Sequence, residues 1–362
     1  MPDDQSFAAA LPFVPPERLP NDVIDVAVLL LDGGYASTGV APIEIFASAG
    51  VIWNWLSGVD QKPRFRVKVV SRSGRKVDGM FGLSIATDCA IDEVEKADIV
   101  VISASSWNLQ DRIVRDGSLM GWIRKWHAKG AYVVGICSAV AFLAESGLLD
   151  GRTATTHWGV ADMFRQRYPA VRWHPERFVT EDERVLCSGG VYAAVDVSLY
   201  LVEKFCGREV ALQTAKSLCL GMPRSCQSGY SAVPQVRPHS DERIREVEEH
   251  VRANYARDLP IARLAERAAM GPRNFIRRFK AATGFVPGAY VQMLRVTAAK
   301  ELLESGNETV QSIALKVGYE DQAFFRRVFK RQTGMTPAEY RGRFAQLAVS
   351  RAEPARGPLR AA

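Results

Sequence analysis

The chain has 362 residues, 47% of them apolar and 24% charged, with a formal net charge of +7. That length supports two domains with separate cores, and the composition excludes a disordered or fibrous chain. Residues 241–350 hold 19 lysines and arginines against 13 acids, whereas residues 1–240 hold 25 against 26, so the basic end implies a polyanionic partner.

Residues 1–21 are rich in proline and polar side chains and predict a disordered leader. They begin with the acidic Asp3 and Asp4, without a signal-type apolar run. No uncharged stretch is longer than residues 130–144, which is short for a bilayer, so the expectation is a cytoplasmic protein with no membrane partner. From residue 22 to 231, short β-branched runs alternate with helical segments. Strands are predicted over 26–31, 65–70, 98–103 and 131–136, and helices over 42–49, 118–129 and 139–148. Such alternation predicts an α/β domain, a mainly parallel sheet with helices on both faces.

Six cysteines, at 89, 137, 187, 206, 219 and 226, form no C-x-x-C pair and no zinc-type cluster. No metal and no cofactor is expected, and the thiols are expected reduced. Cys137 stands apart, because Val134-Gly135-Ile136-Cys137-Ser138-Ala139 runs a buried strand into an apolar helix. A thiol at such a turn lies near backbone N–H groups that lower its pKa or hold an oxyanion. Thr155-Thr156-His157-Trp158 offers a base, and a Cys/His pair is the minimum for thiol catalysis. The alternatives open for Cys137 are a small elbow residue, a ligand-contacting or redox-responsive thiol, and a catalytic nucleophile. Asp32 and Glu44, near the top of the first strand, are candidates to contact a cationic ligand, or to cap a turn or a helix.

The prolines of residues 232–240 mark a linker. Residues 241–346 predict an all-α domain, with helices over 241–255, 261–269, 272–282, 287–304, 310–317, 322–332 and 337–344, and residues 347–362 predict a disordered tail. An internal repeat dominates this region. Phe279-Lys280 precedes Ala-Ala-Thr-Gly-Phe-Val-Pro-Gly-Ala-Tyr290, and Phe329-Lys330 precedes Arg-Gln-Thr-Gly-Met-Thr-Pro-Ala-Glu-Tyr340. Each copy reads as a helix-turn-helix unit, with Gly271 or Gly318 in the turn and Pro272 or Asp321 opening the second helix. Opposite the stripes Phe275/Phe279 and Phe325/Phe329 stand Arg273, Arg277, Arg278 and Lys280, and Arg326, Arg327, Lys330 and Arg331. Arginine's planar fork suits guanine edges and phosphates, and two such helices about 34 Å apart would read successive major grooves.

The segment from Ile313-Ala314 through Val317-Gly318-Tyr319, Asp321, Phe325, Arg327, Phe329-Lys330 and Gly334-Met335-Thr336-Pro337 to Tyr340-Arg341 resembles the AraC/XylS signature. The resemblance implies two helix-turn-helix units that bind double-stranded promoter or operator DNA, in a family composed mainly of transcriptional activators. By position, Arg273, Asn274, Ile276 and Arg277 would face bases from the first recognition helix, and Gln322, Ala323, Arg326 and Arg327 from the second. Residues 23–231 resemble the ThiJ/PfpI branch of the class I glutamine amidotransferase-like fold, and more closely the sensory domain of GlxA-type AraC regulators. Ala41-Pro42-x-Glu44-x-Phe46, Gly135-Ile136-Cys137-Ser138, Leu148 to Trp158 and Arg224-x-x-Gln227-x-x-Tyr230 carry that likeness. It implies a flavodoxin-like fold, a small-molecule effector near Asp32, Glu44, Cys137, His157 and Trp158, a homodimer and contact with RNA polymerase. The hydrolase branches of that fold carry a glutamate where this chain has Thr38, and a glycine where it has Ala139. No carboxylate is clearly placed to orient His157, with Asp162 and Glu176 the nearest candidates. A non-enzymatic regulator is therefore expected, the alternatives being a cysteine-dependent amidase or hydratase with a DNA-binding appendage, and a thiol redox-sensing regulator.

Overall fold

The computed structural model describes residues 23–106, 108–221, 224, 226–230, 239–306 and 308–345. The expected leader and tail and nearly all of the expected linker lie outside the described residues. The chain divides into two compact units, one up to Ser228 and one from Gly229.

The first unit is built on a seven-stranded sheet. Its strands are β1 (Ile24–Leu29), β2 (Phe65–Ser71), β3 (Cys89–Ala90), β4 (Ile99–Ile102), β5 (Tyr132–Ile136), β6 (Val179–Asp182) and β7 (Val185–Ser188). Their order is β6-β7-β5-β4-β1-β2-β3, and every pairing is parallel except the β6–β7 hairpin. Alternation of side chains sends Val26, Val28 and Leu30 to one core and Ala27, Leu29 and Leu31 to the other, so both faces are apolar. Helices α1 (Ser37–Ser48) and α4 (Ala193–Ser217) cover the first face. Helices α2 (Ser118–Ala128) and α3 (Val140–Glu145) cover the second.

Several boundaries differ from expectation. The first strand starts at Ile24 and ends at Leu29 rather than running over 26–31. The first helix begins at Ser37, with Pro42 inside it rather than at its start. Near the N-terminus a proline forfeits a single backbone bond, here to the Thr38 carbonyl, and the packing of Ile45 and Phe46 offsets it. The helix expected over 139–148 is a short turn of 3₁₀ helix, Cys137–Ala139, followed by only Val140–Glu145. Gly135 explains the close seating of α3, because a Cβ there would lie 2.8 Å from Leu143 and 3.1 Å from the Val140 Cα.

In the second unit the helices are α5 (Glu242–Asn254), α6 (Ile261–Arg267), α7 (Pro272–Thr283), α8 (Pro287–Ser305), α9 (Val310–Lys316), α10 (Gln322–Thr333) and α11 (Pro337–Phe344). They enclose two small cores. Ile244, Val251, Leu264, Phe275, Phe279 and Tyr290 fill one, and Leu303, Ile313, Phe325, Val328, Phe329 and Tyr340 the other. Helix α8 serves both, giving Tyr290 and Met293 to the first and Val296, Ala299 and Leu303 to the second.

Candidate nucleic-acid interface and the cysteine elbow

The sequence repeat is a repeat of capping chemistry. Thr283 Oγ1 donates to the Phe279 carbonyl at 2.8 Å and accepts from the Phe285 amide at 3.1 Å, and Thr333 does the same with Phe329 (2.8 Å) and Met335 (3.2 Å). The next residue, Gly284 or Gly334, takes a left-handed φ of 83° or 76°, and Pro287 or Pro337 then opens the following helix. Both recognition helices are therefore closed alike. Each buries its phenylalanine pair, and Phe279–Tyr290 and Phe329–Tyr340 meet edge-on at 5.4 and 5.5 Å.

Their openings differ. Asp321 caps α10, its carboxylate accepting from the Ala323 (2.8 Å) and Phe324 (3.0 Å) amides, bonds that hold its pKa below the usual value. Pro272 occupies the first turn of α7, as expected. The first turn departs from the expected glycine pattern. Gly271 is extended (φ −68°), and the left-handed residue is Ala269 (φ 51°), the counterpart of Gly318 (φ 90°). The second turn is one residue longer, which moves the left-handed position relative to the helix it precedes.

On α7, Arg273, Asn274, Arg277, Arg278 and Lys280 are exposed, and on α10 so are Ala323, Arg326, Arg327 and Lys330. Gln322 is half-exposed. Asn274 Oδ1 accepts from Arg277 at 2.9 Å, and the Arg327 guanidinium lies 5.8 Å from the Phe324 ring, so both arginines are partly pre-positioned. Two candidates are diverted. Ile276 is half-buried against the first core, and Arg278 is paired through Nε (2.6 Å) and Nη2 (3.1 Å) with Asp241, the cap of α5.

At the elbow, Cys137 is buried with a left-handed φ of 57°, and its carbonyl accepts from Thr156 Oγ1 at 3.2 Å. Burial pushes its thiol up to about 11, outweighing the lowering by the Ser138 amide. The expected lowering by a helix start is thus outweighed by desolvation. Burial also lowers the pKa of His157. Its Nδ1 accepts from the Gly159 amide at 3.0 Å, which places the proton of the neutral ring on Nε2. The proton order opposes a thiolate–imidazolium pair. Neither Asp162 nor Glu176 orients that ring. Asp162 is paired with Arg165 at 2.8 Å and Glu176 with His174 at 2.8 Å. Trp158 lies against His157, ring centroids 5.2 Å apart.

Thr38, in the register of the hydrolase glutamate, is fully buried, accepts from the Ala104 amide at 3.0 Å and donates to Tyr35 at 2.7 Å. Ser138 Oγ both accepts from the Ser105 amide (3.1 Å) and donates to its carbonyl (3.0 Å). These side chains fasten the loop after β4 instead of presenting an acid to the thiol. Ala139 has ordinary helical angles (φ −65°, ψ −17°), so no glycine is needed there.

The DJ-1/PfpI family matches residues 25–204, and a helix-turn-helix domain family matches residues 264–343. The chain is a DJ-1/PfpI domain joined to an AraC-type helix-turn-helix domain. Three relatives match over most of the chain. The HTH-type transcriptional regulator CdhR of Pseudomonas aeruginosa is 29% identical over 76% of this chain and 82% of its own. GbdR of the same species is 24% identical over 91% and 87%, and GlxA of Rhizobium meliloti is 26% identical over 80% and 88%; both are named HTH-type transcriptional regulators. The chain is accordingly a DNA-binding transcriptional regulator with a flavodoxin-like DJ-1/PfpI domain. Just beyond the DJ-1/PfpI match, Arg224 grips buried Asp196 through Nη2 at 2.6 Å and stacks 4.1 Å from Phe178, and Gln227 Nε2 donates to the Thr156 and Arg177 carbonyls, both at 2.9 Å. Those bonds account for the spacing Arg224-x-x-Gln227. No helix among the described residues is long and apolar enough to cross a membrane.

Proposed function

We propose that residues 241–346 recognise an operator in double-stranded promoter DNA, and that residues 22–231 form a sensory and dimerisation domain that binds a small-molecule effector rather than an enzyme. The chain would act in the cytoplasm as an activator that touches RNA polymerase. What carries the reading is the pair of equivalent recognition helices. Each ends in the same Thr-Gly cap and exposes a cationic face, Arg273, Arg277 and Lys280 on one and Arg326, Arg327 and Lys330 on the other. Against catalysis stand a Cys137 thiol whose pKa burial raises to about 11 and a His157 whose pKa burial lowers.

The test is binding to a pool of genomic promoter fragments at several salt concentrations, by the wild type and by Arg277→Ala/Arg327→Ala. Selective, salt-sensitive binding that the double variant loses is the expected result. Equal binding to all fragments, or binding that survives both substitutions, overturns the assignment. Turnover of small amides abolished by Cys137→Ala would overturn the non-enzymatic reading.

A further inference from the structure

A cavity of about 310 Å³ opens at the carboxyl ends of β1 and β2, where open parallel sheets place their ligands. Leu30, Leu31 and Val77 make its apolar surface, and Arg72, Arg75, Lys76 and Arg115 its cationic one. Asp32 and Asp116 are the acids that line it, and both are already engaged. Asp116, almost fully buried, pairs with Arg72 at 3.3 Å and Arg112 at 3.8 Å. Asp32 accepts from the Asp78 amide at 3.3 Å and faces Arg112 at 3.9 Å. Lys76 lies 3.5 Å from Asp78. Arg75 and Arg115 have no carboxylate partner among the described residues.

The backbone bearing each of these two guanidiniums is held in place, Arg75 in the loop after β2 and Arg115 at the end of the helix Leu109–Arg115. The Arg75 carbonyl accepts from Ser71 Oγ at 2.8 Å and Thr87 Oγ1 at 3.0 Å. Gly74 before it has a φ of 69°, and a Cβ there would lie 3.0 Å from the Ala90 amide nitrogen. The Arg115 carbonyl accepts from Arg72 at 2.9 Å. Of the two alternatives for Asp32, the surroundings favour a turn contact over a cationic ligand, and Glu44 is exposed on α1, outside the cavity lining. Two uncompensated guanidiniums over an apolar floor suit an anion, and the volume is at the small end of ligand pockets.

We propose that this cavity is an effector site for a small organic anion, held by a carboxylate or phosphate group between Arg75 and Arg115. The inference rests on reading the α/β unit as effector-binding. Calorimetric titration of the full chain with citrate, with inorganic phosphate and with tetramethylammonium tests it. Citrate or phosphate is expected to bind saturably, about tenfold or more weaker in Arg75→Ala and in Arg115→Ala, and unchanged in Lys125→Ala, an exposed cation elsewhere. Binding of citrate alone assigns a carboxylate ligand, and binding of phosphate alone a phosphorylated one. Binding of neither anion, equal binding by the arginine variants, or binding of tetramethylammonium alone overturns the proposal. Both substituted side chains are exposed, and circular dichroism of each variant should match the wild type. Operator binding measured on the same anion-free samples separates the two readings. Loss of anion binding with intact DNA binding removes the site alone, and the converse removes the regulator reading alone.

Discussion

Arg295 Nη1 donates to the carbonyl of Gly318 at 2.7 Å, tying the shared helix α8 to the turn of the second helix-turn-helix unit. The same guanidinium donates through Nε to Tyr255 (2.7 Å) and through Nη2 to Arg257 (2.8 Å), just after α5, and lies 5.1 Å from the Tyr319 ring. One side chain therefore joins the end of α5 to the turn of the second helix-turn-helix unit. Removing it leaves three carbonyls without that donor. Arg295→Ala should destabilise the C-terminal unit by about 2–3 kcal/mol, and Arg295→Lys, a single-point donor, should recover less than half. Chemical denaturation measures the loss. Operator affinity should fall with it, more for DNA carrying both half-sites than for one alone, because the spacing between recognition helices is what loosens.

Gly318 is the other half of that joint. Its φ is 90°, and a Cβ would lie 2.3 Å from the Ala256 carbonyl oxygen. Gly318→Ala combines left-handed strain with a backbone clash and should cost about 2 kcal/mol or more. Ala269, its counterpart, already carries a side chain at φ 51°. Ala269→Gly relieves strain but adds unfolded-state freedom, so its net effect should stay within about 1 kcal/mol. Equal, small effects at both positions would show that the second turn does not depend on the close approach to Ala256.

Where the determinants are local, the sequence was legible. The Thr-Gly-x-x-Pro repeat, Pro272 and the Asp321 cap could be read because each acts within a few residues of itself. The hairpin joining β6 to β7 could not, since its left-handed turn positions are filled by Glu183 (φ 47°) and Arg184 (φ 65°) instead of asparagine or glycine. Helix α4 was also missed, and Gly207 (φ 83°) breaks its helical geometry midway. At the elbow, the strand-to-helix turn was readable but the state of the thiol was not, because burial arises from packing distant in sequence. For the same reason the sequence left the alternatives for Asp32 open. Arg72 comes from the loop after β2 and Arg112 and Arg115 from the helix Leu109–Arg115, and the charge of a pocket is a sum over all of them.

The thiols supply a pH-dependent prediction. Cys137 is pushed up to about 11 and Cys187 to about 12, both by burial, whereas Cys219 is exposed. At neutral pH iodoacetamide should alkylate Cys219 and leave Cys137 and Cys187 unmodified until the domain unfolds. Peroxide should then leave DNA affinity unchanged. The folded state holds the two protons while the unfolded chain releases them near 9.0, so these thiols contribute full stability below that pH. Their contribution declines as pH rises from about 9 towards 11 and 12. Rapid labelling of Cys137 in the folded protein would overturn this account and revive the redox-sensor alternative.

Adjacent arginines on the first recognition helix should behave differently. Arg277 projects freely apart from its bond to Asn274, whereas Arg278 is held by Asp241 at the start of α5. Arg277→Ala should cost about 1–3 kcal/mol of operator affinity and relax the preference at one base position. Arg278→Ala should leave base preference intact and lower stability by at most about 1 kcal/mol, since the pair is partly solvent-screened. Burial alone would raise the Asp241 carboxyl, but the bonds from Arg278 and the Ile244 amide outweigh it and hold the carboxyl below its usual value. A depressed carboxylate stabilises above its unfolded pKa and loses that effect as pH falls through the folded one, so the gap between wild type and Arg278→Ala should close in acid. Denaturation at several pH values, paired with binding to operators substituted base by base, separates the two roles. A change of base preference in Arg278→Ala would show that DNA binding draws Arg278 away from Asp241.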